Sequence, residues 1–362
     1  VDYVTASLWR SSRLVNQERL LPTITLAMTL ANFMSQELIV VIALALIFDL
    51  LNGMRDASNI VATMISSRAF GPRTALGIAA IAEFLGPFLF GVVVAKTIGD
   101  EIVQSSVLTL GVIAASLVGA IAWNLITWFF GIPGSSSHAL IGGIVGAVLA
   151  SAGMDAIKLA GLNKVLIALF ASPLIGFILG FILTRIIYFL VQNATPRINE
   201  FFKRSQLVTA IILALSHGTN DAQKTMGIIS LSLVIGGILP SFQVPLWVVF
   251  ASAAGIAIGT SLGGWRLIRT LGGKFYKIRP LHSFSTQLTS GIVMLTASLF
   301  GVPVSISQVV SSAIVGVGSA ERVSKVRWSV AGDIMTAWLI TIPASALMGA
   351  GCYLLLRAIF AV

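Results

Sequence analysis

Apolar residues run in long blocks along this chain, and charge is confined to the gaps between them. No Asp, Glu, Lys or Arg occurs in 102–154, 225–265, 280–320 or 334–356. A helix needs about 20 apolar residues to cross the hydrocarbon core of a bilayer, and each stretch is longer than that. The blocks Thr74–Ala95, Val107–Phe130, Val165–Leu190, Val244–Gly264 and Val330–Leu347 are each predicted to cross as one helix. None alternates polar and apolar residues as a barrel strand does, which excludes a transmembrane β-barrel. Other blocks are interrupted. Leu38–Leu51 is too short to span alone and gives way to Asn52-Gly53-Met54-Arg55-Asp56 before Ala57–Ser66 resumes. Leu207–Leu215 meets Ser216-His217-Gly218-Thr219-Asn220-Asp221 in the same way. Gly-x-Pro-x-Ser sequences at 131–135 and 301–305 interrupt two more. Broken helices or re-entrant hairpins are expected at all four places. The fold expected is an all-α polytopic membrane protein with about 10–12 membrane segments.

Composition narrows the classes further. Of 362 residues, 57% are hydrophobic and 10% charged, where a soluble domain carries about 25% charged residues. A soluble enzyme, a disordered regulator and a secreted disulfide scaffold are excluded. The net charge of +10 sits between the apolar blocks, in runs such as Arg266, Arg269, Lys274, Lys277 and Arg279, then Arg197, Lys203 and Arg204, then Arg322, Lys325 and Arg327. That placement follows the positive-inside rule for cytoplasmic loops and does not call for nucleic acid. Cys352 is the only cysteine, so no intrachain disulfide forms. Residues 1–36 carry Arg10, Arg13 and Arg19 but no apolar core followed by a small-residue cleavage site. They read as a polar N-terminal segment and not as a cleaved signal.

The chain is duplicated. Gly53-Met54-Arg55-Asp56-Ala57 returns as Gly218-Thr219-Asn220-Asp221-Ala222, with Asp56 and Asp221 165 residues apart. Gly131-Ile132-Pro133-Gly134-Ser135-Ser136-Ser137-His138 returns as Gly301-Val302-Pro303-Val304-Ser305-Ile306-Ser307-Gln308, with the prolines 170 residues apart. Two motifs in one order at nearly one offset define a first membrane repeat over 37–191, a linker over 192–206 and a second repeat over 207–362. Interrupted segments at matching positions of two halves point to a transport site at the interface of inverted repeats.

The repeated residues suggest what is bound. Serine is a strong N-cap, and the first N–H groups of a helix point at whatever lies before it. Ser135, Ser136 and Ser137, with Ser305 and Ser307, would present two helix starts to a small oxyanion. The bland alternative is that these serines only cap helices and pack small at a crossing. Asp56 and Asp221 are acids inside the membrane, which marks function by default. They would coordinate a coupling cation, carry a proton or accept a hydrogen bond from a protonated substrate oxygen. Asn59, Asn220 and Gln223 add neutral amides. Arg55 and Lys224 either pair with an Asp or reach the anion. Glu83 lies inside a spanning block; His217 and His138 are candidates for moving protons. Asp49 and Asp333, near block ends, are expected to be shallow.

These motifs resemble those of the inorganic phosphate transporter (PiT) family, in its short bacterial branch. The family's Gly-Ala-Asn-Asp-like mark matches Gly53–Asp56 and Gly218–Asp221. Its Pro-Val-Ser-Thr-Thr-His-like mark matches Pro133–His138 and Pro303–Gln308. The runs Ala122-Trp123-Asn124-Leu125-Ile126-Thr127-Trp128, Asn220–Gly227 and Gly316-Val317-Gly318-Ser319-Ala320 extend the match over about 40–350. The resemblance implies a secondary transporter of inorganic phosphate in the cell membrane, working by alternating access. It also implies no bound cofactor and, weakly, a homodimer. Departures stand at Arg55 for the family's Asn, at Gln308 for its second His and at Gln287 for a frequent Glu. They favour coupling to protons or to a metal–phosphate species over sodium. A sulfate transporter of the same fold, a passive anion channel and an intramembrane hydrolase built on Ser135–Ser137 and His138 are the alternatives. Gln308 at the second His position argues against the hydrolase, and the paired buried acids suit a coupled carrier better than a channel.

Overall fold

The computed structural model describes residues 35–360 apart from 105–107, 133, 265–267 and 269–275. The N-terminal segment up to residue 34, Pro133 and the basic residues Arg266, Arg269 and Lys274 lie outside the described residues. Ten long helices make up the described chain. The first half holds α1 (Gln36–Ser66), α2 (Pro72–Phe90), α3 (Leu110–Phe130), α4 (Ser136–Ala152) and α5 (Leu159–Leu190). The second holds α6 (Ile198–Ile235), α7 (Leu246–Leu262), α8 (Pro280–Leu299), α9 (Ile306–Glu321) and α10 (Trp328–Phe360). Five of them, α1, α2, α3, α5 and α10, are long and apolar enough to cross a membrane. The lipid-facing stripe is plain on α5, where Leu174, Ile178, Ile182 and Ile186 recur every four residues and are 46–61% exposed.

At the two Asp motifs the expected breaks are absent. α1 runs unbroken for 31 residues, about 46 Å at 1.5 Å per residue, and α6 for 38 residues. The glycines there serve close approach. A Cβ on Gly53 would strike the Ile256 carbonyl of α7, and one on Gly218 would stand 2.6 Å from Glu83 Cα of α2. The polar residues do not need an opened backbone, because Asn52, Asp56 and Asn59 share one helix face: Asn52 and Asp56 meet partners on other helices, and Asn59 donates to Asp56.

At the Gly-x-Pro-x-Ser motifs the helices do end. α3 stops at Gly131, which adopts φ +67°, and Gly301 after α8 adopts φ +68°; both lie in the left-handed region that side chains rarely enter. Ser135 then caps α4, its hydroxyl accepting from His138 N at 3.1 Å. Ser305 holds the same place before α9.

The packing exchanges the halves. α1 lies against α7, and α2 against α6; α4 lies against α10, and α9 against α5. Swapping every helix for its counterpart five places on returns the same set of pairs, as a two-fold relation of the halves requires. The polar stretch between them is a turn only as far as Arg197, and 198–206 already belongs to α6. Gln206 is buried there, accepting from Ser67 Oγ at 2.9 Å and donating to Pro280 O at 3.2 Å. Asp333 is exposed, as its shallow position required. Asp49, also expected to be shallow, is fully buried within the protein. The unbroken α1 carries it inward, one turn from Asn52.

Candidate functional site

The start of each short helix is tied to the approach of the other. Ser137 Oγ donates to Val304 O at 3.1 Å, and Ser307 Oγ donates to Gly134 O at 3.1 Å. Val304 and Gly134 are counterparts, each directly before its own first serine. The two breaks therefore meet face to face between the halves. Ser305 and Ser307 share a hydrogen bond of 2.9 Å.

Beside this junction α1 and α6 deliver the acids. Asp56 accepts from Asn59 Nδ2 at 2.9 Å and from Ser136 Oγ at 3.1 Å. Asp221 accepts from Lys224 Nζ at 2.6 Å and, across the halves, from Asn52 Nδ2 at 2.9 Å. His217 lies between the acids. Its Nδ1 is 2.5 Å from Glu83 Oε1, and its Nε2 is 3.3 Å from Asp221 Oδ2 and 3.9 Å from Asp56 Oδ2. Ligand atoms of Asp56, His217 and Asp221 all fall within 4.8 Å of one another, close enough to hold a cation. All of these side chains are at most 3% exposed. Charges so deeply buried persist only when paired and hydrogen-bonded, and here nearly every one has a partner. An imidazole with a carboxylate on each nitrogen can donate from both sides, or take a proton on one and release it from the other.

Of the expected residues, Asp56, Asn59, Glu83, Ser136, Ser137, His217, Asp221 and Lys224 come together. Ser135, Ser305 and Ser307 shape the helix junction. Arg55 and Asn220 are counterparts, and each lies beside one of the two breaks. Asn220 accepts from Val304 N at 3.2 Å and donates to Val302 O at 3.1 Å and Ser298 Oγ at 3.0 Å, bracing the second break. Arg55 donates to Asn124 Oδ1 at 2.5 Å, and its Nη2, without a hydrogen-bond partner, lies 2.7 Å from where a Cβ on Gly134 would stand, against the first. Gln223 stands apart from the acids: it accepts from Val94 N at 2.6 Å and donates to Gly91 O at 2.6 Å, closing the backbone after α2. His138 points away as well, its Nδ1 3.1 Å from Trp338 O on α10. Sequence reasoning missed Asn52 and Asn124. Asn52 precedes Asp56 by four residues, as His217 precedes Asp221, and that shared spacing was the available signal.

Two helix starts meet at this junction, with two buried acids beside them, and the motifs that form it occur once in each half. The sequence profile of the Phosphate transporter family matches residues 52–349. The chain belongs to the phosphate transporter family. It is 47% identical over 318 residues to a probable low-affinity inorganic phosphate transporter of Rhizobium meliloti (strain 1021), covering 87% of this chain and 95% of that one. A protein of the same name from Bacillus subtilis (strain 168) is 45% identical over 326 residues, covering 89% and 98%. Among solved structures, one titled the sodium-dependent phosphate transporter superposes with a TM-score of 0.82 at 24% identity, covering 90% of this chain and 100% of that one. At that identity the likeness shows a shared fold. The chain is a multi-pass membrane protein of a transporter family, and not an enzyme.

Proposed function

We propose that this protein is a secondary transporter of inorganic phosphate that works by alternating access, with its two halves as inverted repeats and the phosphate held between the starts of α4 and α9. The observation that carries this reading is the reciprocal tie of Ser137 to Val304 and Ser307 to Gly134, with Asp56 and Asp221 alongside. Helix starts attract anions through their free N–H groups and dipole. The exchanged packing of the halves supports a two-fold axis through that junction, and an odd number of long helices in each half is what counterparts of opposite orientation require. The curated relatives are named as inorganic phosphate transporters, which supports the choice of substrate.

Coupling to protons, or to a metal–phosphate species, fits the residues better than coupling to sodium. His217 is hydrogen-bonded to Glu83 and turns its other nitrogen toward both aspartates, so it can relay a proton among the three carboxyl groups. Arg55, Gln287 and Gln308 supply no anionic cation ligand. Gln287 instead accepts from Thr209 Oγ1 at 2.7 Å. The experiment is uptake of labelled phosphate into proteoliposomes, with a pH gradient and a sodium gradient imposed separately. Uptake driven by the pH gradient alone is expected. Saturable stimulation by sodium at equal pH would refute the coupling, and no phosphate uptake under any gradient would refute the reading as a whole.

A further inference from the structure

Lys224 is the best-paired charge in the site, and its partners are all oxygens. Its ammonium donates to Asp221 Oδ1 at 2.6 Å, Ser137 Oγ at 2.7 Å and Val304 O at 2.9 Å. An ammonium has three donors and no more, so none is left to reach an oxyanion. The side chain is 2% exposed. The ligand set, a carboxylate, a hydroxyl and a backbone carbonyl beside a helix break, is all oxygen, and backbone carbonyls at broken helices are what transporters present to coupling cations.

The duplication provides an internal comparison. Asn59 is the counterpart of Lys224 and holds Asp56 as Lys224 holds Asp221, three residues on along the helix. The counterparts of the three cage oxygens are those of Asp56, Ser307 and Gly134. Ser307 and Gly134 are already joined at 3.1 Å, the same separation as Ser137 and Val304. The serine–carbonyl tie thus occurs twice, with a positive charge built in beside it in the second half and a neutral amide on the counterpart acid in the first.

We propose that Lys224 is a tethered stand-in for an alkali cation: its ammonium fills the cage of Asp221, Ser137 and Val304 and so sets which ion couples transport. The proposal deepens the transporter reading and rests on it for its consequence, though not for the cage itself. With its cation covalently fixed, this cage takes up no mobile alkali ion during the cycle. Removing the amine opens a site of sodium-binding chemistry and converts the coupling.

The test compares the wild type with Lys224→Ala and Lys224→Ser in sodium, potassium and choline chloride at equal pH. The first readout is the melting temperature of the purified protein in detergent. The second is labelled phosphate uptake in proteoliposomes. Both variants should be stabilised by sodium in a saturable way, and sodium should raise their uptake about tenfold over choline, while the wild type responds to neither. A variant that survives purification only in sodium counts as support, since sodium then replaces the amine. Folded variants whose melting ignores sodium would overturn the proposal, as would variants lost in every salt or a wild type itself stabilised by sodium. The melting readout needs no transport, so a wild type that moves no phosphate would refute the functional reading while leaving the cage to be judged by its own result.

Discussion

Ser137 and Ser307 each hold the chain that leads into the other's helix. Each hydroxyl donates at 3.1 Å to the carbonyl one residue before the other motif's first serine. Neither bond closes within its own half, so each ties one half to the other at a helix start. Ser137 also accepts from Lys224 at 2.7 Å, and Ser307 also touches Ser305.

That reciprocity makes unequal predictions for the two serines. Ser137→Ala leaves Lys224 one oxygen short in a buried place, and an unmatched charged donor costs about 1–3 kcal/mol or more. Ser307→Ala loses neutral bonds worth about 0.5–1.5 kcal/mol. Phosphate uptake by Ser137→Ala should therefore fall further than by Ser307→Ala. Ser136→Phe and Ser305→Phe should abolish uptake with normal amounts in the membrane, because both side chains are buried at the junction. Equal uptake by wild type and both Phe variants would remove the junction from the transport path.

Glu83 and His217 should behave as a unit. Removing one partner from a buried charged pair costs about 3–5 kcal/mol, because the other is stranded. Glu83→Ala should lower the melting temperature more than Glu83→Gln, whose amide can still meet the ring. Both changes, and His217→Asn, should abolish the component of uptake driven by a pH gradient. Counterflow exchange of phosphate with no gradient should survive better. Retention of full pH-driven uptake in His217→Asn would exclude the proton relay.

Gly218 fixes the distance between these two residues. A Cβ there meets the backbone of Glu83, with Glu83 Cα at 2.6 Å. Gly218→Ala must push α2 from α6, at about 1–3 kcal/mol for a tight site without room to relax. Gly77→Ala on α2 is the matched control, since nothing lies within 4 Å of its added Cβ. Thermal inactivation in detergent should separate the two, with Gly218→Ala the weaker protein and Gly77→Ala no weaker than wild type.

Much of this was legible in the sequence for physical reasons, and the failures have physical reasons too. Charge-free runs must be buried in lipid or protein, so the membrane class followed from composition. The duplication survived in the residues that contact the opposite half, and these are the motifs that could be seen. The Pro-x-Ser breaks were readable because Gly131 and Gly301 adopt backbone angles that other residues avoid. The expected breaks at Asp56 and Asp221 were wrong because glycine and polar residues in a helix have a second meaning. Gly53 and Gly218 admit a neighbouring backbone, and the polar face points at another polar face. Asp49 was misplaced for the same cause, since a helix taken as short left it near an interface. Gln223 was adjacent to the acids in sequence but lies on another side of α6, where it satisfies the backbone after α2.

The preference for phosphate over sulfate should reside in Asp56 more than in Asp221. Both anions are tetrahedral and of similar size, so helix starts and serine hydroxyls separate them poorly. Phosphate near neutral pH keeps at least one proton, and sulfate has none. An ionised carboxylate only accepts, so it meets a phosphate O–H well and a sulfate oxygen badly. An unmatched buried contact costs about 1–3 kcal/mol, or about 5- to 150-fold in preference. Asp221 is held by the Lys224 ammonium at 2.6 Å and by Asn52 at 2.9 Å, which weakens its claim on a substrate proton. The hydrogen bonds to Asp56 come from the neutral donors Asn59 and Ser136, with His217 Nε2 further off at 3.9 Å, and it stands beside the start of α4. Excess sulfate should barely inhibit phosphate uptake by the wild type. Asp56→Asn, which can donate as well as accept, should narrow the gap between the anions even where total uptake falls. Asp221→Asn should lower uptake with the gap largely kept. Equal competition by sulfate and unlabelled phosphate in the wild type would remove the carboxylate from the discrimination. A larger change in Asp221→Asn than in Asp56→Asn would move it to the other half.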